Sequence, residues 1–406
     1  MSVQKFTRDK SGNIAVIFAL VAAALMSVMG LSIDLQRSVS AEQSIQSALD
    51  ASTLAGVRAL GDGKHTEAEI KAYVTKIFET NLTSANANLD CPAPAISIDA
   101  KAGTVKADAS CTLPTTIAGL FAIEKVTIGQ SSISALNMSR LDLAMMLDVS
   151  GSMKGQKLKD LQEASKSAID ILITPQSDDR VRIAFNTYST AVNVGSYAKE
   201  VKGSAYNKTS PTRLCATERD GSAKFDDDAP AYGKYVNENP QSSDHKPLWC
   251  PASSIEPLTT KKQTLKDQID TFVADGWTAG HLGIAWAWYL IAPEWDAIWP
   301  KDSKPLAYNE PKTLKAVILM TDGEFNTAYE KGQGSSVTQS EKLCKNMKKN
   351  GIIIYSVAFQ APKSGKKVLQ TCATSSDYFF DAKNGTDLKN AYAEIASRLS
   401  DLRLTQ

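Results

Sequence analysis

The longest uncharged, mostly apolar run of the chain lies near its N-terminus. Residues 14–33 carry no charge, and at 1.5 Å per residue a helix of this length spans about 30 Å, the thickness of a bilayer's hydrocarbon core. Apolar positions then recur at helical spacing over residues 34–60, without a proline, which predicts that the helix continues into water. We therefore predict a transmembrane helix over residues 14–33 that extends into a helical stalk.

The charges around this run predict its orientation. Lys5, Arg8 and Lys10 precede it, and an excess of basic residues on a short flank keeps that flank in the cytoplasm. Residues 1–13 are therefore predicted to be cytoplasmic and the remainder to lie across the membrane. Two alternatives remain, a cleaved secretory signal and a buried helix of a soluble protein. Signals have apolar cores of about 7–15 residues, so the longer run favours an uncleaved anchor.

After the stalk the pattern predicts a small α+β domain, so that stalk and domain together occupy residues 34–138. Two alternating segments separated by a short turn are typical of a β-hairpin. The predicted elements are a helix over 67–78, hairpin strands over 95–99 and 104–109, a short helix over 116–123 and a strand over 125–135.

From residue 139 to residue 406 apolar strands alternate with amphipathic helices, which predicts an α/β fold with a doubly wound, mostly parallel sheet. The strands are predicted over 141–147, 181–188, 315–320, 351–359 and 378–381, and the helices over 157–173, 264–273, 279–291, 337–350 and 387–402. Residues 193–256 are polar and irregular. We predict that they form an inserted loop, because a structureless loop of this length is unusual in a compact domain.

The six cysteines fall into three consecutive pairs, each within one predicted structural unit: Cys91 with Cys111, Cys215 with Cys250, and Cys344 with Cys372. An even count, local spacing and an export signal favour disulfides formed in an oxidising compartment. The alternative is six buried free thiols, as in a cytosolic protein.

Composition excludes several classes of function. Lys and Arg total 45 against 44 Asp and Glu, a balance that argues against nucleic acid as a partner, because phosphate binding requires a basic excess. With three histidines in the chain, candidates for general-base or zinc chemistry are few.

A set of carboxylates and hydroxyls follows the predicted strands. Asp148, Ser150 and Ser152 come after the strand 141–147, Asp322 comes after the strand 315–320, and Thr278 precedes a predicted helix. In parallel sheets ligands bind beyond the carboxyl ends of the strands. Carboxylates combined with hydroxyl and water oxygens favour Mg²⁺ or Mn²⁺ over zinc, and Ca²⁺ also fits.

The spacing Asp-x-Ser-x-Ser, with a distant Thr and a distant Asp-Gly, resembles the metal-ion-dependent adhesion site (MIDAS) of von Willebrand factor A (vWA) domains. The resemblance implies a Rossmann-like fold in which Ser150 and Ser152 ligate the metal directly. Thr278, Asp148 and Asp322 would bind it directly or through water. A partner's acidic side chain would fill the remaining coordination position. The alternative is a vWA domain with an empty site that serves as a scaffold.

The N-terminal region is similar to TadG-like proteins of bacterial tight-adherence (Tad, or Flp) pilus systems. The matching segments are RDKSGNIAVIFAL at 8–20, GLSID at 30–34 and DASTLAG at 50–56. The resemblance implies a single-pass protein of the bacterial inner membrane with a periplasmic vWA domain. Its partners would be components of the pilus machinery, and it would bind them without being an enzyme. Alternatives are a metal-free strut of the cell envelope and a metal-dependent phosphohydrolase.

Trp277 precedes the predicted ligand Thr278 and is either a core residue or an exposed anchor for a partner. Trp286 and Trp288 lie on the following predicted helix, where the surrounding apolar residues predict burial.

Overall fold

The computed structural model describes residues 11–61, 65–83, 89–100, 102–135, 139–174, 177 and 180–405. Its chain divides into two compact units, Met1–Leu136 and Asn137–Gln406. Most of the predicted cytoplasmic segment and the residues around the predicted boundary at 138 lie outside the described residues.

The first unit begins with one continuous helix, α1, over Ser11–Gly61, followed by α2 over Glu67–Thr83. Among the described residues, α1 is the helix long and apolar enough to cross a membrane. Large apolar side chains from Val16 to Ile33 are exposed. The alternative of a buried core helix is therefore wrong for this segment, whereas an apolar helix with an apolar surface fits membrane anchoring.

The rest of the first unit is a three-stranded antiparallel sheet against which α1 packs. Its strands are β1 (Ala95–Asp99), β2 (Thr104–Pro114) and β3 (Lys125–Ala135), paired in that order. The predicted hairpin is confirmed, with Ala95 opposite Asp108 and Asp99 opposite Thr104. The core combines Ile45 and Leu49 of α1, Phe78 of α2 and Val105 of β2.

The second unit is built on an eight-stranded sheet. Its strands, in chain order, are β4 (Arg140–Asp148), β5 (Val181–Tyr188), β6 (Val192–Asn193), β7 (Cys215–Ala216), β8 (Glu256–Thr259), β9 (Thr313–Thr321), β10 (Ile353–Phe359) and β11 (Phe379–Ala382). The spatial order is β11-β10-β9-β4-β5-β6-β7, and β8 pairs with β5. Strands β11, β10, β9, β4 and β5 are mutually parallel, whereas β6, β7 and β8 are antiparallel additions. The predicted mostly parallel sheet is confirmed.

Helices cover both faces of this sheet. They are α3 (Gln156–Leu172), α4 (Ala198–Lys202), α5 (Lys262–Ile269), α6 (Gly280–Tyr289), α7 (Ser336–Lys349), α8 (Lys363–Cys372) and α9 (Gly385–Thr405). Successive strand residues point to opposite faces, so Leu143 and Met145 of β4 enter one core and Ala144 and Met146 enter the other. Burial on both faces explains the uninterrupted apolar strands.

The order of the strands creates a switch point between β4 and β9. The chain leaves β4 for β5 on one side, whereas it leaves β9 for β10 on the other side. The carboxyl ends of β4 and β9 therefore border a crevice, the place where doubly wound sheets bind ligands.

Residues 193–256 are ordered by buried polar contacts more than by regular structure. The buried ammonium of Lys202 pairs with Glu238 at 2.7 Å. The guanidinium of Arg219 lies 5.5 Å from the ring centroid of Trp295. A disulfide joins Cys215 to Cys250, and the other predicted pairs, Cys91–Cys111 and Cys344–Cys372, are joined as well.

Candidate metal centre

The loop after β4 brings three of the predicted ligands together. Asp148 is the last residue of β4, and a short 3₁₀ turn over Gly151–Met153 follows it. The amide of Ser150 donates to Asp148 Oδ1 at 2.8 Å, and the hydroxyls of Ser150 and Ser152 lie 3.2 Å apart. A tight turn of this kind directs the carboxylate and both hydroxyls toward one point.

The loop after β9 adds the second carboxylate. Ser152 Oγ donates to Asp322 Oδ1 at 2.6 Å, so the two strand ends meet through this hydrogen bond. The other oxygen, Oδ2, accepts from the ammonium of Lys157 at 2.7 Å. Lys157 lies in the first turn of α3, and its side chain is 27% exposed while that of Asp322 is fully buried. An ammonium therefore already balances the charge of one predicted ligand.

Asp148 is held by two further hydroxyls. Its Oδ2 accepts from Tyr188 Oη at 2.9 Å and from Thr321 Oγ1 at 2.6 Å. Tyr188 ends β5 and Thr321 ends β9, so the neighbouring strands on both sides orient this carboxylate. Hydrogen-bonded supports of this kind hold a ligand in one rotamer.

Thr278 lies beside the same cluster. A Cβ built on Gly323 would lie 3.3 Å from Thr278 Oγ1 and 3.7 Å from Ser152 Oγ, so both hydroxyls face this glycine. Asn326 fixes the backbone of Thr278 by accepting from its amide at 3.2 Å and donating to its carbonyl at 3.0 Å. All five predicted ligands are thus gathered at the switch point.

The electrostatics of the cluster reflect two buried acids at close range. Burial raises the pKa of Asp148, and the charge of Asp322 raises it further, to about 6, against the opposing effect of hydrogen bonds from Ser150 and Thr321. Burial, with the charge of Asp148, also raises the pKa of Tyr188 well above its ordinary value. A cation near both carboxylates would relieve this repulsion.

The donor set fits a hard cation. Two carboxylates and three hydroxyls supply only oxygen, which suits Mg²⁺, Mn²⁺ or Ca²⁺ better than zinc. No group of three His, Cys, Asp or Glu that could hold a metal occurs within the described part of the chain. Any metal here would depend on the hydroxyls of Ser150, Ser152 and Thr278 as much as on the acids.

Trp277 borders this cluster without belonging to the core. Trp277 is 39% exposed, whereas Trp286 and Trp288 are buried as predicted. The ammonium of Lys246, which belongs to the inserted segment 193–256, lies 5.9 Å from the Trp277 ring centroid and donates to Asn326 O at 2.8 Å. The insertion therefore contributes a basic residue to the rim.

Sequence reasoning missed several residues of the site. Lys157 could have been noticed as a basic residue on the first helical turn after the Asp-x-Ser-x-Ser loop. Thr321 directly precedes Asp322, and a hydroxyl at a strand end next to a predicted ligand is a usable signal. Tyr188 and Asn326 have no comparable signal, because their contacts depend on the pairing of β4 with β5 and on the path of the loop after β9.

The second unit is a doubly wound, Rossmann-like domain, and in the chain it follows the apolar helix and the small α+β part of the first unit. Residues 12–59 match the family model described as "Putative Flp pilus-assembly TadE/G-like", which confirms the predicted resemblance for that segment. No curated protein matches the chain.

Several solved structures resemble the chain distantly. The pilus adhesin SpaC of Lactobacillus rhamnosus GG, in its open conformation, aligns at TM-score 0.41 and 10% identity, over 78% of this chain and 34% of the adhesin. The vWF domain of the type V pili tip protein Mfa5 of Porphyromonas gingivalis aligns at 0.42 and 11% identity, over 66% and 97% of the two chains. Manganese-loaded TRAP protein of Plasmodium vivax aligns at 0.36 and 12% identity, over 64% and 74%.

Proposed function

We propose that this chain is a single-pass protein of the bacterial inner membrane that belongs to the Tad/Flp pilus assembly system. Residues 14–33 would anchor it, and its vWA domain would lie in the periplasm and bind a protein partner through a divalent-metal site. The observation that carries the proposal is the convergence of Asp148, Ser150, Ser152, Thr278 and Asp322 at the switch point of the sheet.

These five residues would hold Mg²⁺, with Mn²⁺ or Ca²⁺ as alternatives. The bound ion would offer a coordination position to an acidic side chain of the partner. The exposed indole of Trp277 would supply apolar contact area beside that position, since aromatic residues next to a desolvated centre often anchor interfaces. The components of the pilus machinery are the partners that the N-terminal family match supports.

The site supports binding better than catalysis. His281, which could have served as a base, is buried, and its ring nitrogens contact Glu218 and Ser336, both at 2.8 Å. A general base must reach the proton that it removes, and His281 is committed to these contacts instead. A phosphohydrolase would have to depend on Asp148 and the metal alone, so absence of turnover of phosphoesters in the presence of Mg²⁺ is expected.

The test is a magnesium titration of the full-length chain, comparing wild type with Asp148→Asn by calorimetry and by thermal melting. We expect Mg²⁺ to bind and raise the melting temperature of wild type only. Asp275→Asn is a matched control, because Asp275 belongs to the neighbouring loop and pairs with Lys154 on the surface. Equal responses of wild type and Asp148→Asn would refute the metal site.

A second candidate function is the metal-free strut. The specific observation in its favour is the 2.7 Å pair between Lys157 and Asp322, because a tethered ammonium supplies charge that a metal would otherwise bring. Capture of pilus-machinery proteins that is unchanged by chelator, together with no magnesium binding, would favour the strut over the metal-dependent binder.

A further inference from the structure

The loop between β2 and β3 is fastened to α1 at the point where the uncharged run ends. Asp34 is the first charged residue after residues 14–33. Its carboxylate accepts hydrogen bonds from the amides of Thr116, Ile117 and Ala118 at 2.9, 2.8 and 2.8 Å. Three amide donors on one carboxylate fix the loop against this turn of the helix.

The loop also contacts the uncharged run itself. Gly30 is buried, and a Cβ added to it would lie 2.4 Å from Cγ2 of Ile117. Only glycine at this position lets the loop approach so closely. Gly30 lies four residues before Asp34, about 6 Å along the helix axis. The loop thus reaches beyond Asp34, the first charged residue after the uncharged run, onto the surface that the membrane is proposed to surround.

The tip of this loop presents apolar side chains that the protein leaves uncovered. Leu120 is 80% exposed and Ile123 is 52% exposed. Residues 115–123 contain no charge. Outside α1, the described large apolar side chains of the first unit that are strongly exposed are Tyr73, Leu120, Ile123 and Ile133. Two of these four lie in the loop beside Gly30.

We propose that Leu120 and Ile123 insert into the bilayer beside α1, so that the loop is a second membrane contact of the first unit. The inference rests on the proposed anchoring of residues 14–33. The occupant is lipid because the uncharged loop that bears this tip contacts α1 at Gly30, within the uncharged run. That contact lies about 6 Å along the helix from Asp34, within the depth that interfacial segments occupy.

Arg37 fits the same arrangement. It lies one helical turn beyond Asp34, pairs with it at 3.6 Å, and donates to the hydroxyl of Thr116. From this position the guanidinium would reach the phosphates of the lipid headgroups, since long basic side chains near the ends of membrane helices extend their charge to the interface. Along α1 away from the uncharged run, the contact with the loop at Gly30 comes first, then the carboxylate of Asp34, then Arg37, so both charged groups lie on the water side of that contact.

The test is a depth measurement on the full-length chain in vesicles of phosphatidylethanolamine and phosphatidylglycerol. Single cysteines introduced as Leu120→Cys, Val21→Cys and Ile133→Cys are labelled with an environment-sensitive fluorophore, since the described native cysteines are all paired. Val21 lies within the anchor. Ile133 is an exposed control, because its neighbours Ser132 and Ser134 contact Thr53, about 35 Å along α1 from Gly30.

We expect lipids carrying a shallow quencher to reduce the fluorescence at position 120 and a deep quencher to reduce it at position 21. Aqueous iodide should quench position 133 only. Quenching of position 120 by iodide, as at position 133, would overturn the loop inference while leaving the anchor intact. Protection of position 120 from both iodide and lipid quenchers would also overturn it, by showing a protein cover. If position 21 itself were quenched by iodide, the anchor would fail together with the inference.

Discussion

The ion pair between Lys157 and Asp322 makes a prediction about how charge is balanced at the candidate metal centre. In Lys157→Met the buried carboxylate of Asp322 loses its 2.7 Å partner and stays close to Asp148. Removing one member of a buried pair costs about 3–5 kcal/mol. Since Lys157 is partly exposed and water can replace it, we expect a loss of about 2–3 kcal/mol without metal.

This loss corresponds to a melting temperature about 5–10 °C lower for a unit of this size. Magnesium at about one hundred times its dissociation constant contributes about 2.7 kcal/mol. We expect its effect to be larger in Lys157→Met, because the ion no longer competes with a tethered ammonium. The difference between variant and wild type should therefore shrink in saturating Mg²⁺. Thermal melting of the full-length chain in chelator and in Mg²⁺ measures both quantities.

Lys154→Met is the matched control. Lys154 lies three residues earlier and pairs with Asp275 at 3.1 Å, but both side chains are at least half exposed. Such pairs contribute about 0–1 kcal/mol, so this variant should melt like wild type in both conditions. The reasoning is refuted if Lys157→Met melts like wild type in chelator, or if Mg²⁺ stabilises the two proteins equally.

Two further substitutions test other parts of the same unit. Gly323→Ala should place a methyl group 3.3 Å from Thr278 Oγ1. The fold should survive, but the magnesium affinity measured by calorimetry should fall about tenfold or more. Unchanged affinity would contradict the assignment of Thr278 as a metal ligand. Glu218→Gln should cost about 2–4 kcal/mol at neutral pH, measured by denaturant unfolding. Burial raises the pKa of Glu218, but hydrogen bonds from His281 and two backbone amides outweigh it and leave the pKa below the ordinary 4.5. The stabilisation by Glu218 is therefore present above pH 4.5 and lost as the pH falls through the folded-state pKa. If the difference in the free energy of unfolding between Glu218→Gln and wild type does not shrink in acid, this explanation is wrong.

The elements that were located well from the sequence are those whose burial produces a recognisable pattern of apolar positions. Strand β3 and strand β5 begin and end at the predicted residues, because alternation marks a half-buried strand and a mostly apolar segment marks one buried on both faces. Helix α8 was missed, because it is short and rich in lysine. Strands β6, β7 and β8 were missed because two to four residues carry no detectable period.

The two carboxylates of the candidate site could be predicted from the sequence, whereas several of the residues that contact them were missed. Asp148 and Asp322 follow apolar strands, and strand ends in a parallel sheet share one edge, so their proximity follows from pattern and topology. The ion pair of Asp322 with Lys157 could not be predicted from pattern and topology in the same way. Lys157 reaches it only because the turn after Ser152 sets the direction of α3, and the direction of a helix after a loop is a tertiary property.

The inserted segment shows the same limit. Its polarity predicted a loop, yet Lys202, Glu218 and Arg219 are buried within it or against the sheet domain. Buried polar contacts of this type depend on the three-dimensional arrangement of residues that are distant in the sequence, so they produce no periodic pattern in the sequence. The sequence therefore indicated where the insertion lies and that a disulfide closes it, but gave no sign that it is a packed part of the unit.

The connectivity of the disulfides has a consequence for biogenesis. Each bridge joins a cysteine to the next one along the chain, with separations of 20, 35 and 28 residues. A chain whose N-terminus stays in the cytoplasm exports the residues after its anchor in sequence order, so its cysteines meet an oxidant in that same order. The first free thiol that each new cysteine meets is then its native partner. On export as proposed, oxidation in order of emergence produces the native bridges directly, without thiol–disulfide exchange to correct them.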